Sequence, residues 1–133
     1  MEIPNDVKVH DFASSHLWIS KEGIVYSSPK TDAYRELSHE EIKMQMDNFR
    51  TIIGNKKVCI VLESNPKAKP TKKEQRDFIA SELSSVVKAM ALITSSPASR
   101  IIANLFFGFK PPAYPVKMFS DEAKATEWIK QYL

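Results

Sequence analysis

The sequence predicts an α/β fold in which helices alternate with the strands of a mainly parallel sheet. Four segments combine a helix-start signal with apolar residues at helical spacing. Short, almost continuously apolar runs separate these segments, as is typical of strands that are covered on both faces. The chain has 133 residues, a length that suits one core. We therefore predict a single domain over residues 1–133, with an N-terminal hairpin, four to five strands and about four helices.

The first predicted elements are a hairpin and a helix. "HLWIS" (16–20) and "IVYSS" (24–28) flank the turn "KEG", and the earlier run "VKVHDF" (7–12) would add an edge segment. Ser38 followed by Glu41 then forms a capping-box pattern, and Gly54-Asn55 is a left-handed stop signal. The apolar face of this helix consists of Ile42, Met46, Phe49 and Ile53.

The middle of the chain predicts a strand, a helix and a second strand. The strands are "KVCIVLES" (57–64) and "KAMALITS" (88–95). Between them, Thr71 followed by Glu74 is a second capping box. The buried stripe of this helix is expected to be Ile79, Leu83, Val86 and Val87.

The last third predicts two helices around one strand. Pro97 fits the first turn of a helix capped by Ser96. The run "YPVKMFS" (114–120) is typical of an edge strand because Pro115 cannot donate to a ladder. Ser120 then opens the C-terminal helix, with acidic residues in its first turn. The inner face of that helix is expected to be Ala125, Trp128, Ile129 and Tyr132.

Composition excludes several classes of protein. The net charge of +3 comes from 19 basic and 16 acidic side chains, an excess too mild for a nucleic-acid-binding surface. Cys59 is the one cysteine and lies in an apolar run, so we expect a buried structural thiol. No stretch reaches the roughly 20 apolar residues of a membrane span, and the N-terminus lacks signal-peptide features. A cytoplasmic protein is the expectation.

No motif for catalysis or for a cofactor is present in the sequence. With only three glycines, the chain has no glycine-rich phosphate loop. The three histidines have no metal-ligand spacing, and one cysteine does not make a usual zinc site. We therefore predict no enzymatic activity, no metal and no cofactor.

A lysine-rich loop, "NPKAKPTKKEQR" (65–76), is the first candidate site. It would leave the carboxyl end of a strand and enter a helix N-terminus, on the side of a parallel sheet where ligands usually bind. Free backbone N–H groups surrounded by lysines can hold an anion there. The alternative is a solvated loop with no ligand. The candidate ligand-binding residues are Thr71, Lys72, Lys73, Ser96 and Ser99.

The apolar segment "SRIIANLFFGFKPPAYP" (99–115) is the second candidate. At 100° per residue, one core-facing sector would hold Ile101, Ile102, Leu105, Phe106 and Phe109. Phe107 falls outside that sector, on the side of Arg100. Either the loop "GFKPPAY" folds back over Phe107 or another molecule covers it. The candidate interaction surface is Arg100, Phe107, Phe109, Pro111 and Pro112.

The C-terminal part of the chain, Val87 to Leu133, resembles the STAS-like proteins of the SpoIIAA-like type, in particular small bacterial STAS-like proteins. The resemblance rests on a strand and helix followed by "YPVKMFSDEAKATEW", with Phe119, Ala125 and Trp128 as anchors, and extends over about residues 17–133. It implies a sheet with helices mainly on one face, and binding of proteins or small ligands without catalysis. The phosphorylated Asp-Ser-Ser-Gly type motif of the anti-sigma-factor antagonists is absent from "LESNPKAKPTKKEQ".

Two hypotheses about function follow. The preferred one is a non-enzymatic module that binds a protein partner or a second copy of itself through the interaction surface. The alternative is a module that binds a small anionic or amphipathic ligand at the carboxyl ends of the strands. Contact with a membrane surface, without a transmembrane segment, is a variant of both.

Overall fold

The apolar runs and the N-terminal hairpin form one mixed sheet in the computed structural model, which describes residues 1–30, 35–54, 56–67, 72–94, 96–97, 100–101 and 113–133. Its strands are β1 (His10–Asp11), β2 (Ser15–Ile19), β3 (Val25–Pro29), β4 (Val58–Glu63), β5 (Val87–Ile93) and β6 (Val116–Phe119). They are adjacent in chain order, β1 to β3 antiparallel and β3 to β6 parallel. The sheet thus has six strands where four to five were predicted, and the addition is the short edge strand β1.

Helix α1 (His39–Ile53) begins and ends where the sequence predicts. The Ser38 side chain accepts a hydrogen bond from the Glu41 amide, and the Glu41 carboxylate accepts one from the Ser38 amide. Gly54 ends the helix with φ 71°, a conformation that favours glycine. All four predicted apolar residues of this helix, Ile42, Met46, Phe49 and Ile53, are buried.

Helix α2 (Lys73–Val86) differs from the prediction at both ends. Lys72, not Thr71, holds the N-cap position, and the described residues supply no side-chain cap. Thr71 itself lies outside the described residues. At the other end Val86 is the last helical residue and Val87 the first of β5, so Val87 belongs to the strand. Val86 is buried in the core, while Leu83 only packs against its edge.

Helix α3 (Glu122–Ile129) begins one residue later than predicted and continues into a 3-10 turn (Lys130–Tyr132). Asp121 rather than Ser120 is the N-cap, because its carboxylate accepts a hydrogen bond from the Lys124 amide at 3.0 Å. Ala125 and Ile129 are fully buried, whereas Trp128 is half-buried against the rings of Phe119 and Tyr132.

Two of the described helices, α1 and α2, cover one face of the sheet, and α3 covers the other. The α1/α2 face is the face covered by Phe49, Ile53 and Val86; its core includes Leu17, Val25, Ile60 and Met90. The α3 face is the face covered by Ala125 and Ile129; its core includes Trp18, Tyr26, Cys59 and Val61. Successive strand residues alternate between these cores, which explains the continuously apolar runs.

Candidate functional site

The predicted interaction surface begins in a helical turn just after β5. Pro97, Arg100 and Ile101 are helical, and the Arg100 amide donates to the Ser96 carbonyl oxygen at 3.1 Å. The prediction of a helix start near Pro97 is therefore confirmed for these residues. Four residues of the predicted surface lie outside the described residues: Phe107, Phe109, Pro111 and Pro112. Arg100 is the residue of that surface whose position the structure describes.

The 100° spacing predicted that Ile101 would lie in the core. This prediction is wrong, because 60% of the Ile101 surface is exposed. Arg100 beside it is exposed as well. Tyr114, further along the segment, is 7% exposed and belongs to the core of the α1/α2 face. Burial raises the pKa of Tyr114 to about 12. Tyr114, the last residue of the predicted loop "GFKPPAY", is thus a core residue, whereas Ile101 is exposed.

The predicted anion site is described only in part. Lys72 and Lys73 are exposed at the start of α2, and Ser96 is half-buried. Thr71 and Ser99 lie outside the described residues. The neighbouring start of α1 lies close to that of α2, because Gln75 Nε2 donates to the Leu37 carbonyl at 3.3 Å.

The starts of the two helices differ in charge and in capping. At α1, the Glu41 carboxylate is bound by the Arg35 guanidinium at 2.7 and 2.8 Å. Hydrogen bonds from Arg35 and from the Ser38 amide lower the pKa of Glu41 to about 2. The α1 start therefore has a carboxylate of its own bound to it, whereas the α2 start has two exposed lysines, Lys72 and Lys73.

Two polar residues at the carboxyl ends of the strands, Glu63 and Thr94, were not among the predicted site residues. Glu63, the last residue of β4, accepts a hydrogen bond from Ser28 Oγ at 2.8 Å and one from the Met1 ammonium at 2.9 Å. Thr94, directly after β5, is 4% exposed, and its Oγ has no hydrogen-bond partner in the described part of the chain. The only sequence signal for either was a polar residue directly after an apolar run.

A second polar group lies at the edge of the sheet. His16 Nδ1 and Asp11 Oδ1 are 2.7 Å apart across the β1–β2 pair, and Lys30 Nζ lies 3.8 Å from the same carboxylate. Lys30 also donates to the Phe12 carbonyl at 2.8 Å. These contacts link the short strand β1 to the rest of the hairpin.

Neither metal ligation nor membrane insertion finds support in the described residues. Cys59 is buried as predicted, and burial raises the pKa of its thiol, which disfavours the reactive thiolate. Among the described residues no three histidine, cysteine or acidic side chains cluster as metal ligands would. None of the described helices combines the length and apolar character of a membrane span.

The fold is similar to that of a solved protein. An uncharacterised protein of the DUF3478 family from Shewanella loihica PV-4, described as having a SpoIIAA-like fold, superposes with a TM-score of 0.54. The two chains are 11% identical, and the match covers 97% of this chain and 98% of the other. At this identity the likeness concerns the fold alone, and it confirms the predicted SpoIIAA-like architecture.

Other comparisons are less informative about the fold. A protein of unknown function from Arthrobacter sp. FB24 is 17% identical over 98% of both chains, but its TM-score of 0.30 is too low to bear on the fold. None of the curated proteins is significantly similar to this chain. A family model described as "Domain of unknown function (DUF7793)" matches residues 17–133. Because this match spans most of the sequence, the chain belongs to the DUF7793 family, a domain of unknown function with a SpoIIAA-like fold in this member.

Proposed function

We propose that the protein is a non-enzymatic interaction module that binds through the turn containing Arg100 and Ile101. The single observation that carries this proposal is the 60% exposure of Ile101, a large apolar side chain at the start of an aromatic-rich segment. A second copy of the chain is the proposed partner, because a two-fold contact covers the same patch on both molecules at once.

The side chains of the turn are suited to binding another protein molecule. Ile101 provides an apolar centre, and exposed Arg100 beside it provides a planar cation that can pair with a carboxylate or stack on an aromatic ring. The sequence that follows contains Phe107 and Phe109, which belong to the candidate interaction surface predicted from the sequence. A contiguous exposed apolar patch with polar residues around it is typical of an interaction site on a soluble protein.

Sedimentation velocity over a range of protein concentrations tests the proposal. We expect the apparent mass of the wild type to rise with concentration, and Ile101→Glu to reduce that rise without unfolding the protein. Met44→Glu is the matched control, because Met44 is equally exposed, at 64%, but lies on α1. Phe107→Asp tests the sequence-predicted part of the surface in the same way. A wild type that stays monomeric at high micromolar concentration contradicts self-association.

The second candidate function is binding of a small anion, such as a phosphate group, at the carboxyl ends of β4 and β5. Two observations favour it: among the described residues, no side chain caps the start of α2 at Lys73, and the buried Thr94 hydroxyl has no hydrogen-bond partner. Inorganic phosphate should then shift the amide signals of Lys72 and Lys73, and added salt should reduce the effect. Signals that stay unmoved at millimolar phosphate contradict the site.

A cytoplasmic location and a single domain over residues 1–133 are parts of the same proposal, resting on the composition and length of the chain. No nucleic-acid partner is proposed, because the net charge is only +3. Association with a membrane surface would use the same apolar turn. Lipid vesicles added to the sedimentation experiment would then carry the wild type, but not Ile101→Glu, into the pellet.

A further inference from the structure

The N-terminal segment, residues 1–9, lies against the α3 face with only a few anchoring contacts. The side chains of Met1 and Val7 pack against the core of that face, and the Met1 side chain is 1% exposed. Residues 2–6 between these anchors are exposed. Among the described residues, no backbone hydrogen bond outside the regular elements joins residues 1–9 to the sheet. The segment is therefore held by its two apolar side chains and by the charge at its first residue.

The Met1 ammonium forms an ion pair with the Glu63 carboxylate, whose orientation is fixed by a second hydrogen bond. Ser28 Oγ donates to Glu63 Oε1 at 2.8 Å, and the Met1 ammonium donates to Glu63 Oε2 at 2.9 Å. Ser28 is 8% exposed, and the Glu63 side chain is 22% exposed. Since one carboxylate oxygen is occupied by the hydroxyl, the other is left to accept from a cation at the margin of the apolar core.

The register of the sheet explains why these two side chains meet. Ser27 pairs with Leu62 across β3 and β4, so Ser28 and Glu63 are the next facing positions of the two parallel strands. Ser28 lies two residues after Tyr26, and Glu63 two residues after Val61, both members of the α3-face core. The alternation of strand residues therefore places both polar side chains at the carboxyl end of that core.

The two kinds of contact that Met1 makes together define a chemical specificity. Its ammonium donates to a carboxylate, and its thioether chain is removed from water against apolar side chains. A ligand with both features, a primary ammonium attached to an unbranched apolar chain, would make the same contacts. An uncharged ligand of the same shape would leave the carboxylate without its cation, at the cost of a charge-assisted hydrogen bond.

We propose that Glu63 and Ser28 form a binding site for a small apolar primary amine, and that the N-terminal segment is its internal occupant. The site becomes accessible when the segment lifts from the α3 face. Local opening of this kind requires less free energy than global unfolding, since few buried contacts are lost. The site is on the α3 face and does not depend on the interaction proposed at Arg100 and Ile101.

Binding of the N-terminal segment at the Glu63–Ser28 site is tested by labelling the methionine methyl groups with ¹³C in the full-length protein. Met44, exposed at 64%, serves as the internal reference for a solvated methyl group. We expect the Met1 methyl signal to be displaced from that reference in the wild type, and to move to it in Glu63→Gln. Glu22→Gln is the control, because Glu22 is exposed in the β2–β3 turn. A Met1 signal that is unchanged in Glu63→Gln overturns the proposal.

The binding of an external amine is tested with L-methioninamide as the probe. In Val7→Ser, which removes one apolar anchor, millimolar probe should shift the amide signals of Ser28 and Glu63. N-acetyl-L-methioninamide lacks the ammonium and should leave them in place, and Val7→Ser/Glu63→Gln should abolish the response. Equal shifts with both probes, or no shift with either, overturn the external site. Glu63→Gln removes only a partly exposed charge at the end of a strand, so we expect this variant to fold. The Met1 methyl measurement therefore still tests the proposal if Val7→Ser does not fold.

Discussion

Substitution of Ile129 by alanine measures how firmly α3 is docked on the sheet. Ile129 is 0% exposed and belongs to the α3-face core. The lost transfer free energy is about 2.4 kcal/mol, at about 0.8 kcal/mol per buried carbon. The cavity left in a sheet face that cannot fully collapse raises the loss to about 3–4 kcal/mol.

Trp128→Ala is the informative comparison, because Trp128 is larger but only half-buried. Full burial would make its truncation cost about 3–5 kcal/mol, and the observed partial burial reduces the expectation to about 1.5–3 kcal/mol. Ile129→Ala should therefore destabilise the protein more than Trp128→Ala. Glu127→Ala, on the exposed side of the same helix, should stay within about 0.5 kcal/mol of the wild type.

Urea unfolding followed by far-UV circular dichroism gives the three free energies under the same conditions. A shift of the midpoint without a change of slope would assign the loss to the folded state. A loss below about 1 kcal/mol for Ile129→Ala would mean that α3 does not cover this face of the sheet. A larger loss for Trp128→Ala than for Ile129→Ala would contradict the inner face described for α3.

Three further predictions concern individual groups. Glu41 should titrate by NMR with a pKa of about 2, and Arg35→Ala should move that pKa towards its ordinary value of 4.5. Because the pKa is lowered in the folded protein, the associated stability should decline as the pH falls from about 4.5 towards 2. A normal pKa for Glu41 in the wild type would contradict the ion pair. Tyr114 should ionise near pH 12 in a spectrophotometric titration. Because its pKa is raised from 10.0 in the folded protein, the free energy of unfolding should decline as the pH rises from 10 to 12. If all tyrosines titrate uniformly near pH 10, Tyr114 is exposed and the prediction is wrong. Ser38→Ala should lower the free energy of unfolding by about 1 kcal/mol through loss of the α1 cap, and no change in urea midpoint would count against the capping box.

The positions of the strands and of α1 follow directly from local sequence. The runs after Lys57 and Lys88 are apolar at every successive position because both faces of the sheet are covered, and each became a strand within a residue or two of its predicted bounds. The Ser38–Glu41 pair fixed the start of α1 because the cap contacts lie within one turn. Local rules succeed here because the interactions that decide the structure are themselves local.

The face covered by α3 could not be read from local patterns. Helices α1 and α2 connect successive parallel strands in one direction across the sheet, so right-handed crossovers place both on the same face. Helix α3 follows the last strand and connects to no further one, so that rule does not constrain it. The continuously apolar strands did, however, require a cover on the second face, and Ala125 and Ile129 provide it.

The misplacement of Ile101 has a different physical cause. Helical spacing shows which residues share a side, but not which side faces the sheet. Tyr114, 13 residues further along the sequence, belongs to the α1/α2-face core, and helical spacing gave no sign of this. The ammonium of Met1 meets Glu63 across 62 residues, and no short-range pattern reports such a contact.

The claim that the turn at Arg100 and Ile101 is the binding surface is tested most directly by amide NMR spectra of the wild type at increasing protein concentration. We expect concentration-dependent shifts or broadening centred on Arg100 and Ile101, with Met44 on α1 and Lys124 on α3 unaffected. Spectra that are independent of concentration up to the high micromolar range, or changes centred on α1 or α3, would contradict the account.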